Sequence, residues 1–101
     1  MKSWTDLKKL IAYSQGGIVS KEIFSSGKLE LGLYCMGKGT QLAEHTSTRE
    51  VIVHIIEGKG VFKLGKELIQ LAPGVVIHMK PDEKHSLKVE EDTSFTLVMV
   101  K

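Results

Sequence analysis

The histidines of this chain are the side chains best suited to chemistry. They are His45, His54, His78 and His85, and Glu50 supplies a carboxylate in the same region of the sequence. Imidazoles and carboxylates are common metal ligands, and a catalytic metal needs about three protein ligands and an open position. The sequence alone places no base against a serine or cysteine nucleophile, and no phosphate-binding loop or dinucleotide motif is present. These residues therefore favour binding of a metal or a small molecule.

The composition excludes several classes of protein. The chain has 101 residues, of which 42% are hydrophobic and 26% charged, as expected for one globular domain spanning residues 1–101. Its net charge of +2 is dispersed, and Arg49 is the only arginine, so we expect no nucleic-acid partner. Cys35, the single cysteine, lies in an apolar run and predicts a buried thiol without a disulfide.

The amino terminus and the lengths of the apolar runs bear on location. Residues 1–7 lack the apolar stretch and the cleavage site of a signal peptide. No apolar run is long enough to span a membrane. We therefore expect a cytoplasmic protein with no membrane partner.

The first sixteen residues predict a short helical segment. Trp4, Leu7, Leu10 and Ile11 recur at three- and four-residue spacing, and Ser3 is a suitable N-cap. The pattern predicts an amphipathic helix over residues 3–13, ended by the glycines at 16 and 17.

The rest of the chain predicts short strands separated by turns. The predicted strands are Leu29–Met36, Val51–Ile56, Val61–Leu64, Glu67–Leu71, Val75–Met79, Ser86–Val89 and Ser94–Val100. Between two of them, Gly65 and Lys66 form a two-residue loop with glycine first, which favours a type II′ hairpin. Many short strands at even spacing indicate an antiparallel sandwich or barrel.

Two stretches resemble the paired sequence motifs of the cupin superfamily. The first runs from Gly39 through His45 to Gly58, and closes with an apolar residue, Glu and Gly. The second contains Gly74 and His85 at the separation the family uses. The resemblance covers residues 29–100 and implies an all-β fold, an antiparallel jelly-roll β-barrel of the RmlC-like type. We expect the short N-terminal helix to lie outside that conserved barrel.

The resemblance also implies a metal site. Better-preserved cupins hold a divalent metal with three histidines and a glutamate, and His45 and His85 fall on two of those positions. Ser47 and Val51 stand where the family carries another histidine and the glutamate. Glu50, one residue before Val51, is the candidate third ligand. We therefore expect His45, His85 and Glu50 to bind a divalent iron, manganese, zinc or nickel ion.

Strand alternation qualifies the role of Glu50. If the strand through His45 is regular, Gln41, His45 and Ser47 share one face. In the next strand Val51, Val53 and Ile55 face inward, so residues 50, 52, 54 and 56 point the other way. Glu50 then misses the metal unless a bulge within residues 46–49 shifts the register. Three polar residues are further candidates for the ligand pocket: Gln41, Ser47 and His54.

Three functions remain open at the level of sequence. The first is a metal-dependent enzyme of the dioxygenase, isomerase or decarboxylase type acting on a small molecule. The second is a non-catalytic small-molecule-binding module with a degenerate metal site, and the third is a dimerisation module. Strand Val51–Ile56 is apolar on both faces. One face can form the barrel core, and the other must be shielded from water by another part of the protein or by a partner chain, so we expect a homodimer.

Overall fold

The computed structural model describes residues 3–101, which form two antiparallel sheets around a shared apolar core. The strands, in chain order, are β1 (Ile18–Ser25), β2 (Leu29–Met36), β3 (Gln41–His45), β4 (Val51–Glu57), β5 (Gly60–Leu64), β6 (Glu67–Leu71), β7 (Val76–Met79), β8 (His85–Val89) and β9 (Thr93–Val100). The first sheet has the order β1-β2-β9-β4-β7, and the second has the order β3-β8-β5-β6. The predicted all-β barrel architecture is confirmed.

Strand β4 shows how the sequence pattern produces this arrangement. Val51, Val53 and Ile55 are buried, whereas Ile52 and His54 between them are exposed. Successive side chains of a strand point to opposite faces, so the first three enter the core and the other two form the outer face of the sheet. Complete burial of one such aliphatic side chain stabilises the fold by roughly 1.5–3 kcal/mol.

The predicted strand boundaries agree closely with the structure. Leu29–Met36 and Glu67–Leu71 are β2 and β6 with unchanged bounds. The hairpin between β5 and β6 is also present, with Leu64 paired to Glu67 across the two-residue loop. Gly65 has a φ of 59°, which is the left-handed conformation that the first position of a type II′ turn requires.

The turn between β4 and β5 explains the glycine that closes the first motif. Gly58 has a φ of 118°, and a Cβ atom added there would collide with Thr93. The Thr93 hydroxyl accepts a hydrogen bond from the backbone N–H of Lys59 at 3.1 Å. Any larger residue at position 58 would therefore be strained in its backbone and would displace this contact.

The predicted N-terminal helix is wrong. In the part of the chain that the structure describes, helical geometry is limited to a 3-10 turn at Leu7–Lys9, which Asp6 caps by accepting a hydrogen bond from the N–H of Lys8. Lys21 Nζ donates to the carbonyl oxygen of Leu10 at 2.8 Å, which occupies an acceptor that a continuing helix would use. A helix of about eleven residues also gains too little from backbone hydrogen bonds to offset its nucleation cost.

Within residues 3–101, no helix combines the length and the hydropathy needed to cross a membrane.

Tyr13 attaches the N-terminal segment to the barrel. Its hydroxyl donates a hydrogen bond to Glu57 Oε1 at 2.7 Å, at the end of β4. Burial raises the pKa of the Tyr13 phenol well above its ordinary value, and the Glu57 carboxylate raises it further by accepting the phenolic proton and by its charge. The folded state therefore favours the protonated phenol.

This linkage predicts how stability depends on alkaline pH. Because the pKa is raised on folding, the contribution is fully present below the unfolded value of about 10 and declines as the pH rises above it. The free energy of unfolding of Tyr13→Phe should fall less between about pH 9 and 11 than that of the unmodified chain, as measured by urea unfolding. Tyr34→Phe, which removes a phenol from the barrel interior, is the control. Equal declines in Tyr13→Phe and the unmodified chain would contradict the linkage.

Candidate functional site

His45 and His85 meet where β3 ends and β8 begins. The two residues are direct partners in the β3–β8 ladder, and their ring centroids lie 4.1 Å apart in a T-shaped arrangement. His85 is 8% exposed, whereas His45 is exposed at the open end of the barrel. The pair therefore has one imidazole within the wall and one at the mouth.

A β-bulge in β3 makes this meeting possible. Leu42 pairs with Leu87, and the next pair is His45 with His85. The interval between these two pairs therefore contains one more residue in β3 than in β8. Leu42 lines the barrel cavity, and in a regular strand a residue three positions later would face outward. The extra residue restores the inward orientation of His45.

Backbone carbonyl groups orient both imidazole rings. His45 Nδ1 lies 2.7 Å from the oxygen of Ala43, and His85 Nδ1 lies 3.0 Å from the oxygen of Glu83. A carbonyl oxygen can only accept, so each Nδ1 must carry the proton in these hydrogen bonds. Each neutral ring then has its lone pair on Nε2. This arrangement, in which the backbone fixes the tautomer and orientation, is the one found behind metal-bound histidines.

The two histidines open onto a largely apolar cavity of about 300 Å³ between the sheets. Its apolar walls include Val53, Phe62, Met79, Phe95, Leu97 and Met99. The ring of Phe62 lies 6.1 Å from that of His85 and is nearly parallel to it. A concave apolar space with a few convergent polar groups is the usual form of a small-molecule site.

Two loops at the mouth are attached to one another. The carbonyl oxygen of Ser47, after β3, accepts a hydrogen bond of 2.7 Å from the N–H of Asp82, before β8. Asp82 has a φ of 67°, the one positive value at a non-glycine position among residues 3–101. Such a conformation costs about 1–3 kcal/mol and persists when surrounding contacts impose it. This contact ties together the loops that follow His45 and precede His85.

The structure places Glu50 away from the two histidines. Its Oε2 lies 2.5 Å from His78 Nε2 on the outer face of the first sheet, and both side chains are about half exposed. Val51 takes the inward position, as the alternation argument anticipated. Within residues 3–101, no three His, Cys, Asp or Glu side chains converge as a metal site. His45 and His85 are therefore brought together without the expected carboxylate.

The three polar candidates for the pocket differ in position. Ser47 lines the cavity. His54 lies on the outer face of β4, where it pairs with Val76 and Thr96. Gln41 is exposed and pairs with Lys88. Gln41 and His45 do not share a face, because the bulge lies between Leu42 and His45 and not within residues 46–49.

Sequence reasoning missed several lining residues and one neighbour of the pocket. The missed lining residues are Tyr34, Leu42, Ser86 and Leu87. The neighbour is Arg49, whose Nη1 contacts the sulfur of the lining residue Met99. A signal for the bulge was present: Leu42 is apolar and His45 follows three residues later, so both can face inward only if the strand gains a residue. Nothing in the sequence indicated the contact of Arg49.

Comparison with known proteins agrees with the fold. Residues 32–101 match the family model described as Cupin domain. No curated protein matches the sequence. A conserved Streptococcus pyogenes protein of unknown function is similar in structure, with a TM-score of 0.87 and 24% sequence identity, over 100% of this chain and 89% of that one.

Two further structures show the same fold. A cupin superfamily protein from Desulfitobacterium hafniense has a TM-score of 0.86 and 17% identity, over 93% of this chain and 86% of that one. A salicylate 1,2-dioxygenase variant from Pseudoaminobacter salicylatoxidans has a TM-score of 0.77 and 16% identity, over 82% of this chain and 26% of that one. At these identities the likeness concerns the fold.

Two deletions test the role of the bulge. Removing Glu44 should give a regular ladder, with His45 two positions after Leu42 and still opposite His85. Removing both Ala43 and Glu44 should turn His45 outward. In NOESY spectra, cross-peaks between the His45 and His85 ring protons should persist in the first variant and disappear in the second.

The contact between His85 and Phe62 serves as the internal control, because neither deletion touches β5 or β8. Cross-peaks between these two rings should remain in both variants. Loss of the contact between the histidines in the single deletion would refute the assigned register.

Proposed function

The chain belongs to the cupin family, and from this premise we propose that it binds a small molecule in the cavity beneath His45 and His85. One observation carries the proposal. Two imidazoles at the mouth of an apolar cavity each donate Nδ1–H to a backbone carbonyl, which leaves both Nε2 lone pairs for a ligand. The apolar walls would take the body of the molecule, and the imidazoles would anchor its polar group.

A divalent metal ion is the proposed link between the imidazoles and the ligand. The donor set supplies two nitrogen ligands with a fixed tautomer, which suits iron, manganese, zinc or nickel. It lacks the third protein ligand of a resident catalytic metal, because Glu50 is paired with His78. The residues therefore fit an ion whose coordination is completed by oxygen atoms of the bound molecule and by water. Such an ion would act as a Lewis acid on the ligand.

A metal-dependent enzyme is the second candidate function. The carbonyl groups behind both Nδ1 atoms favour it, since that support is typical of working metal sites. The structural likeness to part of a salicylate 1,2-dioxygenase variant also supports it, since that enzyme contains this fold. The missing third ligand favours binding over catalysis, and we rank the two candidates in that order.

We also propose a homodimer formed through the outer face of the first sheet. This face includes four exposed apolar side chains on adjacent strands, Leu29, Ile52, Val76 and Val100. Most contacts between two identical subunits obey twofold symmetry, so the same patch must fit itself. The face also carries His54 and the Glu50–His78 ion pair, and because Glu50 and His78 are paired with one another, burying the patch leaves few polar groups unpaired.

Metal titration tests the proposed anchor. Isothermal titration of tag-free protein with Ni²⁺ should show one site, and His45→Ala or His85→Ala should each weaken it by about tenfold or more, because one of two imidazole ligands is lost. His54→Ala is the matched control, since it removes an exposed histidine outside the cavity. Equal affinity in His45→Ala, His85→Ala and the unmodified chain would refute the anchor.

Charge placed on the outer face tests the dimer. Light scattering at micromolar concentration should give a dimer mass for the unmodified chain and a monomer mass for Ile52→Lys, because a lysine buried at the interface would lose hydration without a partner. Leu68→Lys is the control, since Leu68 is 66% exposed on β6 of the second sheet. A monomer mass for the unmodified chain would remove the proposal.

A further inference from the structure

Arg49 lies beside the cavity and contacts two of its lining residues, one through its side chain and one through its backbone. Its Nη1 lies 3.8 Å from the sulfur of Met99, and its backbone N–H donates to the hydroxyl of Ser47 at 3.2 Å. Both Met99 and Ser47 line the cavity of His45 and His85. The guanidinium is thus one contact away from the space that a ligand would fill, while its exposure leaves it hydrated.

The charge of Arg49 is not neutralised within the described chain. The ion pairs among residues 3–101 are Lys59 with Glu90 and His78 with Glu50, and neither includes Arg49. Glu50 follows Arg49 directly, but β-strand alternation sends it to the outer face, where His78 holds it. The thioether of Met99 is only a weak acceptor, so most of the guanidinium donors stay available.

Arg49 sets the sign of the electrostatic potential at the mouth of the cavity, because the surrounding charges are few or balanced. None of the residues that line the cavity is acidic. The neighbouring loop, residues 80–84, carries two lysines and two acids, which balance one another. The side chain of Glu83 is also engaged, since its Oε1 accepts a hydrogen bond from the N–H of Lys80 at 2.8 Å. A positive guanidinium therefore stands beside an apolar cavity that has no competing carboxylate in its lining.

We propose that Arg49 selects the ligand, and that the ligand is a small carboxylate with an apolar body. This inference rests on the proposed binding function of the cavity and adds the chemical class of its ligand. The apolar body fills the space between the sheets, and the carboxylate receives two parallel N–H donors from the planar guanidinium. The Nε2 lone pairs of His45 and His85 reach the carboxylate oxygen atoms only through the proposed metal ion, because two hydrogen-bond acceptors do not attract one another. Arg49 is thus a specificity residue.

A pair of probes of equal shape tests the inference. Phenylacetate and phenylacetamide have the same apolar body and differ in charge. In calorimetric titrations with chelator present, the unmodified chain should bind phenylacetate about tenfold more tightly, because charge-assisted bidentate hydrogen bonds are stronger than neutral ones. Arg49→Gln should remove this preference and leave phenylacetamide binding unchanged. Lys80→Gln, which removes a cation from the neighbouring loop, should keep the preference.

The other outcomes separate this inference from the proposed function. Equal affinity for the two probes would refute the carboxylate class and leave the binding site intact. A loss of both probes in Arg49→Gln would show that Arg49 only supports Met99, and the selectivity proposal would fail. If replacing the chelator with Ni²⁺ does not tighten phenylacetate binding, the proposed metal anchor fails and the selectivity of Arg49 stands. If neither probe binds at millimolar concentration, both proposals fail.

Discussion

The alternation of side chains along β4 is the constraint on which the rest of the molecule depends. This strand lies between β7 and β9, and its residues pair directly with both neighbours. Val51 pairs with Met79 on one side and Met99 on the other, so these three residues form one inward row beneath the mouth. The residues between the inward ones form an outer apolar face. One strand therefore builds both the proposed ligand cavity and the proposed subunit interface.

The same alternation explains the incomplete ligand set. A carboxylate at position 51 would point into the barrel toward the histidines, but this chain has valine there and glutamate one residue earlier. A shift of one residue along a strand moves a side chain to the opposite face. Glu50 accordingly meets His78 outside the barrel. The inward row then offers thioether and aliphatic groups to the cavity, and the imidazole pair remains its main polar feature.

The bulge in β3 interrupts the alternation of side chains and thereby places His45 in the site. It gives Leu42 and His45 the same inward direction although three residues separate them. The hydrogen bond between Ser47 and Asp82 then holds the two loops that flank the histidines. Arg49 and Glu50 follow this loop and place their side chains on opposite faces of the sheet. The guanidinium of Arg49 therefore lies beside the cavity, and the carboxylate of Glu50 lies on the outer face. The charge of the mouth is a consequence of backbone register.

The sequence by itself determined seven of the nine strands, the turns between them and the inward row of β4, because these depend on local propensity and a period of two. It also identified His45 and His85 through the spacing of the paired motifs. The spacing of Leu42 and His45 was a signal that a bulge exists, but the sequence could not place it, because the partner strand defines the register. It predicted a helix at the amino terminus, because apolar spacing does not show that Lys21 takes the carbonyl oxygen of Leu10. The neighbours of Glu50 and Arg49 were likewise decided by tertiary structure, since His78 and Met99 come from strands distant in sequence.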